Sequence, residues 1–175
     1  MNQKALILYH TNYGFSYTVA EFVKQAISRS NLEVVICSID QADLLDLFSY
    51  SYKYIISPIK YGNYAKKVLN FLKQYDHILS KTHCVIVSID LVSRKNDRNS
   101  LENNKQVSKI WSKLNWTPTR LIIIPGELDY SKYNFIEKKM MKLLMYIMKG
   151  PTDSNTSEVY TNWKSLESQI KNDLH

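Results

Sequence analysis

A short polar segment follows the first apolar run of the chain. His10-Thr-Asn-Tyr-Gly-Phe-Ser16 separates the apolar run Lys4–Tyr9 from an amphipathic segment. Where a strand turns through glycine into a helix, backbone N–H groups converge and the helix dipole adds positive potential. Hydroxyls of Thr11 and Ser16 can donate to phosphate oxygens without adding charge. We therefore expect a phosphate site here. The alternative is an ordinary turn in which Ser16 caps the helix.

The segment lacks the Gly-Lys-Ser/Thr of a Walker loop and a complete Gly-x-Gly-x-x-Gly pattern, so it does not specify a ligand by itself. Two later loops strengthen the expectation of a ligand site. Ser57-Pro-Ile-Lys-Tyr-Gly-Asn-Tyr64 follows the third apolar run, and Ser88-Ile-Asp-Leu-Val-Ser-Arg-Lys95 follows the fourth. Tyr61 and Tyr64 offer faces to a planar ring, and Gly62 permits close backbone approach. Three such loops at one end of a sheet favour a flavin nucleotide.

Short apolar runs that alternate with helical patterns must position these loops. The predicted strands are Lys4–Tyr9, Glu33–Ser38, Tyr52–Ser57, Thr82–Ile89 and Arg120–Pro125. Helical spacing is found between them, for example in Leu101–Leu114. Strands of about six residues linked by helices predict right-handed crossovers and a doubly wound parallel α/β sheet. Five strands with a binding loop after the first fit the flavodoxin-like order, in which ligands bind at the carboxyl ends of the strands.

The last third of the chain departs from this alternation. Residues 126–157 are predicted to form a helical insertion near the fifth strand, with a helix over 133–149 that Gly150-Pro151 ends. A short strand, Glu158–Thr161, and a final helix with Trp163, Leu166, Ile170 and Leu174 on one face follow. We expect one domain that spans residues 1–175.

Composition limits the function classes. The 175 residues carry a net charge of +7, which suits an acidic small molecule, an anionic membrane or nucleic acid. No nucleic-acid motif is present, so no nucleic-acid partner is expected. Cys37 and Cys84 lie in apolar runs, as buried thiols of a reducing compartment do. His77, His83 and His175 lack metal-ligand spacing, so no metal is predicted. Neither a signal peptide nor a membrane span is expected, which indicates a cytoplasmic protein or one on a membrane surface.

Longer motifs make the chain resemble the menaquinone-dependent protoporphyrinogen IX dehydrogenases, flavodoxin-like enzymes of bacterial haem synthesis. The matching stretches extend over nearly the whole chain: Leu6-Ile-Leu-Tyr-His-Thr-Asn-Tyr-Gly-Phe-Ser16, Ile59-Lys-Tyr-Gly-Asn-Tyr64, Ser88–Lys95, Pro125-Gly-Glu-Leu-Asp-Tyr-Ser-Lys-Tyr133, Met140-Met-Lys-Leu-Leu-Met145 and Glu158-Val-Tyr-Thr-Asn-Trp163. The phosphate loop is common to flavodoxins. The Leu-Val-Ser-Arg-Lys loop and the inserted basic helix separate this family from electron carriers.

The resemblance implies that FMN oxidises protoporphyrinogen IX, two electrons at a time, and passes the electrons to a quinone such as menaquinone or ubiquinone. The residues expected to contact FMN are His10, Thr11, Asn12, Tyr13, Gly14, Phe15, Ser16, Pro58, Ile59, Tyr61, Gly62, Asn63, Ser88, Asp90, Leu91, Val92 and Arg94. Arg94, Lys95 and Lys60 are candidate partners of the two propionates, or else solvated cations. No general base stands out, although Asp90 carries a carboxylate.

The sequence also departs from the family. His10 replaces a usual Ser or Thr, and Phe15 replaces a usual polar residue, which predicts weaker flavin binding unless the imidazole N–H acts as the donor. A flavodoxin-like electron carrier or a quinone reductase is the alternative function. The positive charge disfavours a carrier, because flavodoxins are typically acidic. A homo-oligomer is left open.

The predicted helix over 133–149 has an apolar arc of roughly 200°, at about 100° per residue. That arc holds Ile136, Met140, Met141, Leu143, Leu144, Met145, Ile147 and Met148, and the other side holds Lys138, Lys139, Lys142 and Lys149. Such a helix lies in the headgroup region of an anionic membrane, here the inner face of the cell membrane, where a quinone is dissolved. The alternative is that the apolar arc packs on the domain or on a second subunit.

Overall fold

Five parallel strands form the central sheet in the computed structural model, which describes residues 3–28, 32–95 and 98–173. The strands are β1 (Lys4–Tyr9), β2 (Glu33–Ser38), β3 (Tyr52–Pro58), β4 (His83–Asp90) and β5 (Arg120–Pro125). Their order is β2-β1-β3-β4-β5, and each neighbouring pair is parallel. The predicted flavodoxin-like doubly wound sheet is therefore confirmed.

Helices cover both faces of the sheet, because alternate strand residues point to opposite sides. The helices are α1 (Phe15–Ile27), α2 (Lys66–Gln74), α3 (Asp76–Leu79), α4 (Lys105–Trp111), α5 (Phe135–Ile147) and α6 (Trp163–Lys171). On one face, α1 and α6 pack on Ile7 and Ile56 of the sheet. On the other, α2, α3 and α4 pack on Leu6 and Ile55. This arrangement leaves the carboxyl ends of the strands uncovered by the two helix layers.

The helix predicted over 101–114 is shorter in the structure. It spans Lys105–Trp111, and the side chain of Asn104 caps it by accepting a hydrogen bond from the backbone N of Val107 at 3.1 Å. Of the two cysteines, Cys84 is buried as expected, whereas Cys37 is only partly buried. Leu174 and His175 lie outside the described residues.

The insertion forms a small unit of its own beside the sheet. Strands β6 (Glu127–Asp129) and β7 (Ser157–Val159) pair antiparallel, and α5 lies between them in sequence. Leu128, Tyr130 and Met145 form a separate buried cluster between this pair and α5. The extent of the insertion, like the single-domain organisation, stays a prediction. The observed strand β7 lies slightly earlier in the chain than the predicted strand Glu158–Thr161, because its pairing with β6 ends at Val159.

Helix α5 ends in a left-handed turn that involves two residues. Lys149 adopts the left-handed conformation (φ 54°), and the N–H of Gly150 donates to the carbonyl of Met145 at 2.7 Å. A Cβ on Gly150 would lie 2.5 Å from Nη2 of Arg94. A larger residue at 150 would therefore have to displace the guanidinium of Arg94. Among the described helices, none is long and apolar enough to cross a membrane.

Candidate functional site

A cleft opens where β1, β3 and β4 end. Most of the predicted flavin contacts line it, together with Lys60: Thr11, Asn12, Tyr13, Phe15, Ser16, Pro58, Ile59, Tyr61, Asp90 and Leu91. The structure therefore brings the three predicted loops together at one end of the sheet. Gly62 and Val92 line an adjoining groove, whereas His10, Gly14, Asn63, Ser88, Arg94 and Lys95 line neither cavity.

The first loop has the backbone conformation that a phosphate site needs. Gly14 is the N-cap of α1 with φ +92°, and a Cβ built there would meet nothing within 4 Å. The hydroxyl of Thr11 accepts a hydrogen bond from the Gly14 N–H at 2.8 Å, which fixes the turn. The next two N–H groups, of Phe15 and Ser16, lie at the start of α1, where a helix leaves donors without an internal partner. Ser16 lies inside α1 rather than at its cap, so the capping alternative for Ser16 is wrong.

The two unusual residues of this loop have different roles. The ring of Phe15 lies 6.0 Å from that of Trp163, so it joins the cleft wall to the core under α1 and α6. His10 is buried and does not line the cleft. Burial, followed by the nearby Lys67, lowers the pKa of His10 and keeps the imidazole neutral. The structure therefore does not place His10 where it could make the expected contact with a phosphate in the cleft.

The loop after β3 presents Tyr61 to the solvent. Lys60 and Asn63 pair through two backbone hydrogen bonds of 2.9 and 3.2 Å, which closes a tight turn. Tyr61 and Gly62 both have positive φ in that turn, 53° and 77°. Tyr61 is 64% exposed and its ring is available to a ligand.

Tyr64 was the other aromatic ring expected to face a ligand, and here the expectation is wrong. Its side chain is buried in the core, where its hydroxyl is hydrogen-bonded to Ser88. Ser88 thus supports the site from within the sheet and does not line the cleft. The side chain of Asn63 is also occupied locally, since its Oδ1 accepts a hydrogen bond from the backbone N of Tyr64.

The loop after β4 is held by a buried carboxylate. Asp90 accepts hydrogen bonds from the backbone N of Ser93 at 2.6 Å and from the side-chain amide of Asn104 at 2.8 Å. Burial raises the pKa of Asp90 although these donors oppose the shift. With both oxygens bound to the protein, Asp90 fixes the shape of the loop and is a poor candidate for a general base.

Arg94 is directed away from the cleft, contrary to the expectation that it lines the flavin site. Its Nη2 donates to the carbonyl of Met148 at 2.9 Å, and its guanidinium lies 5.6 Å from the centre of the Tyr160 ring. Met148 belongs to the insertion, and Tyr160 follows directly after it. The structure therefore gives Arg94 the role of holding the C-terminal end of α5, while the neighbouring Lys95 is exposed.

Lys60, by contrast, lies in the cleft wall within a three-residue cluster. Its ammonium donates to Glu137 Oε1 at 2.5 Å and to the Tyr13 hydroxyl at 2.8 Å, and that hydroxyl donates to the same Oε1 at 2.6 Å. The hydrogen bonds from Lys60 and then Tyr13 lower the pKa of Glu137 to about 2. Burial lowers the pKa of Lys60, but the bonds to Glu137 and Tyr13 outweigh it, so the ammonium stays charged.

The cluster joins three parts of the chain: the phosphate loop, the loop after β3 and α5. Glu137 also completes a capping box with Asn134 at the start of α5, which fixes the carboxylate relative to the helix. The insertion is thus tied to the cofactor end of the sheet by charge-assisted hydrogen bonds, which are the stronger kind.

The sequence reasoning missed the contribution of the insertion to the cleft. The additional lining residues are Gly126, Glu127, Asp129, Lys132, Tyr133, Glu137 and Met141, with Ile89 from β4. A signal existed, because the stretch Pro125–Tyr133 was among the motifs that carry the resemblance. Its residues were not assigned to the site, since an insertion outside the strand–helix alternation has no fixed position relative to the sheet.

Comparisons with known proteins agree with this geometry. A family model described as "Flavodoxin domain" matches residues 6–155. A protoporphyrinogen IX dehydrogenase (quinone) from Leishmania major is 27% identical over 164 residues, 93% of this chain and 71% of that protein. The protein of the same name from Escherichia coli (strain K12) is 25% identical over 172 residues, 98% and 95% of the two chains. The resemblance indicated by the motifs is confirmed.

A structural comparison bears on the fold alone. The crystal structure of a Fusobacterium nucleatum flavodoxin mutant bound to flavin mononucleotide has a TM-score of 0.50 with this chain. It covers 99% of this chain and 94% of its own length at 10% sequence identity. At so low an identity the likeness describes the arrangement of strands and helices.

Proposed function

Because this chain belongs to the flavodoxin domain family, we propose that it binds FMN noncovalently in the cleft and oxidises protoporphyrinogen IX with a quinone. The flavodoxin family supports a flavin, and the names of the curated relatives support the two substrates. The observation that carries the proposal is the convergence of the three loops around one cleft at the switch-point end of the sheet.

The residues present fit FMN. Gly14 leaves open space directly at the start of α1, where a phosphate would accept hydrogen bonds from the first-turn N–H groups. Thr11 and Ser16 lie in the same wall, and Tyr61 with Leu91 supplies apolar surface for a ring. Bound FMN would supply the acceptor for electron pairs, since two-electron chemistry of this kind belongs to the cofactor.

The chain's own residues bind and orient. Lys60 places a cation in the cleft wall, where it can meet an anionic group of a ligand. The tight turn of residues 60–63 presents Tyr61, and Asp90 holds the loop after β4 in place. Residues of the insertion form one side of the cleft.

The test is an oxygen-free assay of the FMN-loaded protein. We expect porphyrin fluorescence to appear from protoporphyrinogen IX only when a menaquinone or ubiquinone analogue is present. Protein without FMN, and the loaded protein without quinone, are the controls. If the loaded protein exchanges electrons with a reductase partner but never forms porphyrin, the electron-carrier alternative replaces the dehydrogenase. A protein that takes up no FMN would overturn both.

For localisation, we propose peripheral contact with an anionic membrane through α5. Phe135, Ile136 and Tyr146 of this helix are 69–76% exposed, and Lys139 lies over the Phe135 ring. Exposed aromatic and aliphatic side chains beside lysines suit the headgroup region, and the quinone is dissolved in the same membrane. The apolar arc is nevertheless not wholly free, because Met145 and Met148 pack on the domain, as the alternative had it.

Vesicle co-sedimentation tests this contact. The protein should pellet with anionic vesicles at low salt, and should stay in solution with neutral vesicles or at high salt. Changing Lys138, Lys139, Lys142 and Lys149 to Gln should abolish binding, since each lysine near an anionic surface contributes about 1 kcal/mol. Retention in the supernatant with anionic vesicles at low salt would leave α5 a purely structural helix.

A further inference from the structure

A groove of about 390 Å³ adjoins the cofactor cleft. One wall is the side of α5 that carries Met140, Leu143, Leu144 and Ile147. The opposite wall consists of loop residues that include Tyr61, Gly62, Leu91, Val92 and Gln106. The volume lies within the range of about 300–1,000 Å³ that is common for small-molecule sites.

The apolar wall is not needed to pack α5. Met145 and Met148 are already buried, with exposures of 0% and 6%, and Met145 packs on Leu128 and Tyr130. Met140, Leu143 and Ile147 are 46%, 62% and 69% exposed, and their spacing places them in one row along the helix. A row of large apolar side chains that line a groove without serving the core indicates a ligand that covers them.

The groove is continuous with the cofactor cleft. Ile59, Lys60, Tyr61, Asp90, Leu91 and Met141 line both cavities. These shared residues form a boundary between the two cavities. A molecule in the groove would contact one side of this boundary, and a flavin in the cleft would contact the other side. Electron-pair transfer between two rings requires that they lie close together, and the shared boundary places the two cavities next to each other.

We propose that this groove holds the electron donor, a large, flat and mainly apolar ring with carboxylate arms. This inference rests on the proposed function, under which the ring is a tetrapyrrole. The row on α5 covers one face of the ring, and Tyr61 and Leu91 hold it against the cofactor boundary. Lys60 lies at that boundary in its ion pair with Glu137, so a carboxylate arm directed there would compete with Glu137 for the ammonium.

The test measures binding of protoporphyrin IX, the oxidised ring, to the FMN-loaded protein by fluorescence titration. Leu143→Gln keeps the size of the side chain but removes apolar contact, and should weaken binding about ten- to a hundredfold. Ile147→Gln should act in the same direction. Tyr146→Ser is the matched control: Tyr146 is 76% exposed on the same helix but does not line the groove. FMN affinity, measured separately by flavin fluorescence, should be unchanged in all three variants.

The outcomes separate this inference from the proposed function. Unchanged porphyrin binding in both glutamine variants would overturn the groove assignment even if turnover persists. If the variants raise the KM for the quinone alone, the groove belongs to the acceptor and the assignment to the donor is overturned. Wild-type porphyrin binding that depends on Leu143 but yields no quinone-dependent turnover would uphold the groove and reject the dehydrogenase. Equal losses in Tyr146→Ser would point to a damaged α5 and contradict a defined groove.

Discussion

At the scale of single residues, the Lys60–Tyr13–Glu137 cluster combines two tasks that are usually separate. Lys60 and Glu137 are only 32% and 17% exposed, so their interaction is shielded more than that of a surface pair. The carboxylate neutralises the cation of the cleft wall in the absence of a ligand and also anchors α5. An anionic ligand that competes for Lys60 would therefore act on the same bond that holds the insertion.

The pH dependence of the stability of Glu137→Gln should reveal the ion pair that anchors α5. The pKa of Glu137 is lowered from 4.5 to about 2, so its contribution to stability is complete above the unfolded value and is lost as the pH falls from about 4.5 towards 2. The variant should be less stable than wild type in urea near neutral pH, and the difference should shrink at about pH 3. Glu102→Gln, in an exposed turn, is the control. A difference that is independent of pH would show that the ion pair contributes nothing.

Gly14 supports a second residue-scale prediction. Its φ of +92° is strained for residues with a Cβ, at a cost of about 1–3 kcal/mol, and the new side chain would project into open space at the start of α1. We expect Gly14→Val to weaken FMN binding at least about tenfold in a fluorescence titration. Gly14→Asn separates the two causes, because Asn tolerates positive φ but still fills the space. Normal FMN affinity in Gly14→Val would remove the phosphate from this loop.

At the scale of elements, the sequence predicted the sheet far better than the site. Buried strands such as Lys4–Tyr9 are continuous apolar runs that only a two-sided sheet can cover, so their bounds were predictable. Tyr64 shows the limit. Its position close to Tyr61 in the sequence fits a ligand contact as well as a core residue. Only the packing with α2 and β4 buries it.

The same limit applies to charged side chains. Arg94 and Lys60 both follow strands and looked equivalent in sequence. Their partners come from the insertion, Met148 for one and Glu137 for the other. Because these contacts span 54 and 77 positions, they depend on where the insertion docks, and no local pattern encodes that position.

Helix α5 offers a matched pair of adjacent side chains. Met145 is fully buried against Leu128 and Tyr130, while Tyr146 is 76% exposed. Met145→Ala should destabilise the insertion by about 2–5 kcal/mol, since it leaves a cavity, and Tyr146→Ala should change it little. Hydrogen exchange of the α5 amides measures the difference. Equal protection in both variants would show that the small cluster does not hold the helix.

At the scale of the whole molecule, α6 completes the core on one face of the sheet. Leu166 and Ile170 are fully buried in the same cluster as Ala5 and Ile7 of β1. Near its end, Asp173 binds Nε2 of His83 at 2.8 Å, which ties this helix to the start of β4. The last helix and the first strand therefore belong to one cooperative unit.

Leu166→Ala should consequently lower the free energy of global unfolding by about 2–5 kcal/mol, in contrast to the local effect of Met145→Ala. Urea unfolding followed by both far-UV circular dichroism and tryptophan fluorescence measures it. The two probes should give coincident transitions at a lower midpoint. A separate early transition in one probe would mean that α6 detaches from an otherwise folded sheet.

The dependence of α1 on α6 has a consequence for synthesis of the protein. About 135 residues separate the end of α1 at Ile27 from the start of α6 at Trp163. At about 5–20 residues per second, the ribosome leaves the apolar face of α1 without its final cover for roughly 7–27 s. Phe22 is among the side chains that stay uncovered during this interval. In the complete fold, the centre of its ring lies 4.8 Å from that of Trp163. A nascent chain in this interval is a natural client for chaperones that shield exposed apolar helices.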